Sequence, residues 1–118
     1  MKLRLLDNTL RLRLRKSEVD LFGQQGFLDA ATAVADSDSF RYCLEFSADC
    51  EALTVSLSQN SIVVLVPQAE AQTWVHGDDV AISGQSGPLS ILIEKDFQRT
   101  SVKSLLDFDL YLNPRRTA

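Results

Sequence analysis

The sequence predicts an α+β domain in which mainly antiparallel strands form a strongly bent sheet or a small open barrel with two short helices. Three observations lead to this prediction. Apolar and polar residues alternate along most of the chain, which is typical of strands with one face in the core. Turn dipeptides separate several of these stretches. Only two short segments have the apolar spacing of a helix.

Length and composition indicate one globular domain. The chain has 118 residues, of which 45% are hydrophobic and 24% charged. No apolar run is long enough to span a bilayer, and the N-terminus lacks the continuous apolar stretch of a signal peptide. We therefore expect a cytoplasmic protein with a single domain over residues 1–97 and a partly docked C-terminal arm over residues 98–118.

The first elements are a hairpin and a helix. Leucines alternate with Lys or Arg on both sides of Asp7-Asn8, a turn pair. This pattern predicts a hairpin with one leucine face and one cationic face. Ser17 is then the predicted N-cap of a short helix, which Gly23–Gly26 ends.

Further strands follow, with a second helix between them. Period-two alternation predicts six more segments, and the count of strands is seven or eight. Pro67 suits the first turn of the second helix, in which Ala71, Trp74 and Val75 share a face. The additional predicted strands lie over residues 27–34, 40–46, 53–57, 61–66, 80–83 and 89–94.

Charge is unevenly distributed along the chain. Residues 1–16 hold six basic residues and one acid, whereas residues 17–98 hold two basic residues and thirteen acids. This asymmetry has two interpretations: the basic segment pairs with the acidic body, or it binds an anion. The sequence favours the first, and a pI near 4.8 argues against general affinity for nucleic acid.

The cationic face of the first hairpin is the best candidate for a binding site. Arginine suits bidentate capture of phosphate or carboxylate, and like charges on facing strands must be offset by acids or by an anion. The candidate anion-binding residues are Arg4, Arg11, Arg13 and Arg15. The candidate ion-pair partners are Glu45, Glu94 and Asp96.

Acids at the end of the last strand lead to a prediction about strand order. Glu94 and Asp96 follow a strand that is apolar on both faces, where an unpaired acid is costly. We therefore expect the first hairpin to neighbour residues 89–94, with at least one contact from an arginine to these acids. Such pairing would close, or nearly close, a barrel.

Catalytic and metal-binding motifs do not emerge from the sequence. His76 is the only histidine, and a cation at a helix C-terminus is stabilised by the helix dipole without any catalytic role. Cys43 and Cys50 have no zinc or redox spacing. We expect no metal and no cofactor, and no repeat is evident in the sequence.

Short motifs at both ends of the chain carry a resemblance to a known family. The opening combines K-L-R, an Asn, R-L-R-L and S-E-V within residues 2–19, and residues 93–97 read I-E-K-D-F. With Ile62-Val63-Val64 before Pro67, this resembles a family of short, uncharacterised bacterial proteins. That family's tail usually continues with a Cys-Leu pair and acidic, Pro-rich residues, which residues 98–118 do not match. The resemblance implies a fold and carries no established activity.

Two functions remain open from the sequence. The first is a non-enzymatic binding or interaction module, with an unknown protein partner or a second copy of itself. The alternative is an enzyme or sensor that binds a small phosphate-containing anion at the cationic hairpin face. The absence of a catalytic motif favours the first.

Overall fold

The fold contains eight strands and two helices within residues 1–97, the part of the chain that the computed structural model describes. In chain order the elements are β1 (Lys2–Leu6), β2 (Thr9–Leu14), α1 (Lys16–Gln25), β3 (Phe27–Ala35), β4 (Asp38–Ser47), β5 (Thr54–Ser58), β6 (Ser61–Pro67), α2 (Gln68–His76), β7 (Ala81–Ser86) and β8 (Leu89–Lys95). The predicted α+β class is confirmed. The arm predicted over residues 98–118 lies outside the described residues.

The strands form two mixed four-stranded sheets. The first sheet has the order β1-β2-β8-β7, and the second has the order β3-β4-β6-β5. In each sheet two antiparallel hairpins meet through a central parallel pair, β2 with β8 and β4 with β6. The single bent sheet or open barrel predicted from the sequence is therefore wrong. Each helix carries the chain from one sheet to the other, so distant hairpins become neighbours and can lie parallel.

The two halves of the described chain repeat one ββαββ order, which the sequence did not reveal. β1, β2 and α1 begin at residues 2, 9 and 16, and β5, β6 and α2 begin 52 positions later, at 54, 61 and 68. When each strand is replaced by its equivalent in the other half, the order β1-β2-β8-β7 of the first sheet becomes β5-β6-β4-β3. This is the order of the second sheet read from its other edge. The fold thus contains a pseudo-twofold repeat of residues 2–47 and 54–95.

Both hairpin turns at the start of the halves use left-handed backbone. Asp7 and Asn8 have φ of 48° and 60°, and Gln59 and Asn60 have φ of 43° and 68°. Two consecutive positive φ values are typical of the tight two-residue hairpin turn, whose twist matches the twist of the two strands that it connects. The predicted first hairpin is confirmed, and its turn is repeated in the second half.

A single apolar core joins the inner faces of the sheets and the helices. The alternating leucines of β2 are fully buried, as predicted, and they face Ile91 and Ile93 of the same sheet. Ile82 of β7 adds to the core from the first sheet. The second sheet, the residue just before β5 and the helices complete the core with Leu28, Leu44, Leu53, Ile62, Val64, Val66, Val19, Phe22, Ala71 and Trp74. This burial fixes the register of each strand and leaves the intervening side chains on the outer faces.

The helices meet at equivalent positions of the two halves. Phe22 and Trp74 are equivalent in the repeat, and their rings contact edge to face at 6.4 Å between centroids. Gly23 is equivalent to Val75, and a Cβ atom built at Gly23 would lie only 2.6 Å from Val75 Cγ1. The absent side chain at Gly23 lets the helices approach.

Helix α1 begins two residues earlier than predicted. Arg15, not Ser17, is the N-cap residue, and its backbone N–H donates to Glu18 Oε1 at 2.9 Å. Ser17 therefore lies inside the first turn. The predicted stop is confirmed at Gly26, which is left-handed with φ of 86°. No helix in residues 1–97 is long and apolar enough to cross a membrane.

Candidate functional site

The outer face of the first hairpin brings four basic side chains together. In the β1–β2 register Lys2 lies opposite Arg13, and Arg4 lies opposite Arg11. Directly opposed side chains in an antiparallel pair have Cβ atoms about 5 Å apart. These four residues form what we call the cationic face. It arises because the alternating leucines must point into the core, which turns every intervening base outward.

Glu94 of β8 is the acid beside this face. The parallel register places it next to Arg13, whose Nε and terminal nitrogen donate to Glu94 Oε1 at 3.0 and 2.8 Å. Arg11 Nε lies 3.4 Å from the same oxygen. The prediction that the first hairpin neighbours the last strand, with an arginine on Glu94, is confirmed. The strands are parallel, and no barrel closes around them.

The cationic face keeps an excess of positive charge. Arg11 and Arg13 share the Glu94 carboxylate, and within residues 1–97 neither Lys2 nor Arg4 has an ion-pair partner. Opposed like charges repel across a ladder, so the face is electrostatically unfavourable without an external anion. Guanidinium groups in this arrangement are suited to donate several charge-assisted hydrogen bonds to one oxyanion.

Two shallow depressions lie along the cationic face. The first has a volume of about 300 Å³ and is lined by Lys2, Leu3, Arg4, Arg11 and Arg13. The second has a volume of about 200 Å³ and is lined by Arg4, Leu6, Asp7, Thr9 and Arg11. Since Arg4 and Arg11 line both, the depressions are neighbours along the two strands.

The repeat provides an internal comparison for these residues. Positions 52 residues later, on the outer face of β5 and β6, are Thr54, Ser56, Val63 and Leu65. The second sheet thus builds the same hairpin with no base at any of the four positions. Even Glu94 has an equivalent, Glu45, which pairs in register with Leu65. The fold alone does not require the four bases.

Some predicted site residues lie elsewhere. Arg15 follows β2 at the start of α1, where its Nε lies 3.5 Å from Glu18, and it does not line either depression. Glu45 is exposed on the second sheet and makes no ion pair within the described residues. Asp96 uses its backbone N–H to donate to Leu14 at 2.7 Å. Lys2 was missed, although its period-two spacing from Arg4 was a usable signal.

A partly buried ion pair anchors the start of β1. The N-terminal amino group donates to Glu18 Oε2, and the Met1 carbonyl accepts from the Tyr42 hydroxyl at 2.9 Å. Burial raises the pKa of Glu18, but hydrogen bonds from the amino group and the Arg15 N–H outweigh it and hold that pKa below 4.5. These contacts position Lys2 and Arg4 on the edge of the first sheet.

The groups associated with catalysis are dispersed in the described part of the chain. His76 is exposed in the last turn of α2 and contacts Gln72 at 3.2 Å. Both cysteines are free thiols, and burial, with help from Asp29 and Glu45, raises the pKa of Cys43 to about 11. A protonated thiol at neutral pH is a poor nucleophile. Residues 1–97 contain no cluster of three or more metal-ligating side chains.

These features define a small α+β protein of two mixed sheets with a cationic face on one of them. The chain belongs to a family of unknown function, DUF7009, whose model matches residues 1–115. A search of curated proteins and a search of solved structures each return no match. The resemblance to an uncharacterised family is confirmed at this level.

Proposed function

We propose that this protein is a non-enzymatic binding module that binds a small phosphate-containing anion on its cationic face. The observation that carries the proposal is the contrast between the two sheets. Four bases converge on the first hairpin, and none occupies the equivalent positions of the second. Because the fold forms the second hairpin without them, we attribute the bases to ligand binding.

Ion pairing within the chain is the competing explanation for the bases. Glu94 partly supports it, because this carboxylate contacts Arg11 and Arg13. With Asp7, which lines the second depression, two carboxylates leave a formal excess of two positive charges beside the four bases. In the described residues Lys2 and Arg4 add to this excess without an acidic partner. In this proposal Arg4 contacts the ligand alone, whereas Arg13 contacts both Glu94 and the ligand.

Binding is preferred to catalysis because no histidine or cysteine lines the two depressions, and the described residues hold no metal-ligand cluster. Asp7 and Thr9, which line the second depression, form no side-chain hydrogen bond with each other in the described part of the chain. The alternative is an enzyme that acts on the same anion. It predicts turnover of phosphate esters or anhydrides that Arg11→Ala abolishes. The binding module predicts no turnover in a screen of generic phosphatase, esterase and nuclease substrates. Interaction with a protein partner or with a second copy stays a prediction from the sequence.

Thermal unfolding with increasing inorganic phosphate tests the proposal. A ligand at ten times its Kd stabilises the folded state by about 1.4 kcal/mol, which raises the Tm of a domain of this size by several degrees. We expect this shift in the wild type and its loss in Arg4→Ala and in Arg11→Ala/Arg13→Ala. Arg41→Ala, which removes an exposed base from the second sheet, is the matched control. Shifts that are absent, or equal in all variants, would reject the proposal.

A further inference from the structure

We infer that the ligand is a linear oligophosphate chain that lies along β1 and β2 and contacts both cross-strand pairs of bases. This inference rests on the proposed function and names its ligand class. The two depressions share Arg4 and Arg11, so they are positions along one surface and not separate sites. A ligand that fills both must be elongated and anionic along its length.

The strand register sets the spacing that the ligand must match. The pair of Lys2 and Arg13 lies two residues along the strands from the pair of Arg4 and Arg11. Two residues of an antiparallel strand correspond to about 7 Å. A single orthophosphate contacts one pair. A triphosphate, whose outer phosphoryl groups are separated by the length of the chain, reaches both through the long basic side chains.

The surroundings of the face favour the phosphate chain over a nucleotide base. No aromatic side chain lines either depression, so a base would have no stacking partner there. No carboxylate lines the first depression, the nearby Glu94 is already engaged by Arg13, and Asp7 alone lines the second. The described residues therefore offer no cluster of side chains that could coordinate magnesium. The ligand of this site is accordingly the anion without a bound metal ion.

Isothermal titration calorimetry of the full chain, with a chelator present and ionic strength matched, tests the inference. The probes are orthophosphate, inorganic diphosphate, inorganic triphosphate and ATP. We expect triphosphate to bind at least about tenfold more tightly than orthophosphate, because it engages a second pair of bases. ATP should bind no more tightly than triphosphate, and added magnesium should weaken both by neutralising the chain.

The Lys2→Ala variant distinguishes the contributions of the two cross-strand pairs to ligand binding. It removes a base from the first depression only, so it should weaken triphosphate severalfold and leave orthophosphate at the shared pair unchanged. Arg4→Ala should weaken every probe, and Arg41→Ala none. Equal affinities for orthophosphate and triphosphate would overturn the inference and leave the proposed function standing. ATP binding much more tightly than triphosphate would assign a nucleotide instead, and binding of no probe would reject both proposals.

Discussion

Replacing Glu94 with Gln should move stability and anion affinity in opposite directions. Glu94 Oε1 accepts from Arg13 at 2.8 Å and lies 3.4 Å from Arg11. The substitution keeps the size of the side chain and removes one negative charge from the cationic face. If the carboxylate offsets the repulsion between bases, its loss must destabilise the fold and strengthen the attraction for an external anion.

The size of the stability change follows from the exposure of the ion pair. The side chains of Arg13 and Glu94 are 26% and 16% exposed, between the surface and buried cases. Surface pairs contribute up to about 1 kcal/mol, and breaking buried pairs costs about 3–5 kcal/mol. We therefore expect Glu94→Gln to lower the free energy of unfolding by about 1–2 kcal/mol and the Tm by about 4–8 °C.

The affinity change follows from the removed charge. At about 6 Å in a solvated environment, a unit charge contributes about 0.7 kcal/mol for each charge on the ligand. A phosphate group with more than one charge should bind about fivefold more tightly to Glu94→Gln than to the wild type. Raising the salt concentration should reduce this gain, because the interacting groups are partly exposed.

Thermal unfolding and calorimetry measure the two effects, and the repeat supplies the control. Glu45 occupies the equivalent position on β4, where it pairs in register with Leu65 and not with a base. Glu45→Gln should change stability by less than about 0.5 kcal/mol and leave anion affinity unaltered. A Glu94→Gln variant with wild-type stability, or one that binds phosphate more weakly, would refute the assigned electrostatics.

Three further predictions concern the scaffold around the cationic face. Gly23→Ala should lower the free energy of unfolding by about 1–3 kcal/mol in chemical denaturation, since the new Cβ meets Val75, and Val75→Ala in that background should restore part of the loss. Equal effects of Gly23→Ala in both backgrounds would contradict this contact. Because the pKa of Glu18 is lowered in the folded state, its contribution is present above pH 4.5 and lost as the pH falls through the folded pKa. The stability difference between wild type and Glu18→Gln should therefore shrink in acid-unfolding titrations below pH 4.5, and a constant difference would exclude the pair. With a pKa of about 11, Cys43 should be alkylated at pH 8 far more slowly in the folded protein than after denaturation, as measured by mass spectrometry of the modified peptide. Equal rates in the two states would disprove this.

The cationic face could be predicted because it depends on local alternation and on charge. Leucines at every second position of residues 10–14 fix which side of β2 faces the core, so the bases between them had to point outward. The cost of an unpaired acid at Glu94 then predicted the contact between strands that are distant in sequence. Both inferences used only period-two geometry and electrostatics.

The two-sheet topology could not be predicted in the same way. Alternation shows which residues of a strand are buried but not which strand lies beside it, so the parallel β2–β8 and β4–β6 pairs were missed. The repeat was hidden because residues 2–24 and 54–76 share only Leu5, Asn8 and Glu18 with their equivalents. What the halves share instead is burial, as at Phe22 and Trp74.

The most direct test of the proposed site is a titration of ¹⁵N-labelled protein with inorganic phosphate, followed by amide chemical shifts. If the cationic face is the binding site, saturable shifts should cluster in β1, β2 and the part of β8 near Glu94, and the equivalent strands β5 and β6 should be unaffected. Arg4→Ala should abolish the saturation. Shifts that do not saturate, or that are as large in residues 54–66 as in residues 2–14, would contradict the assignment of the cationic face as an anion-binding site.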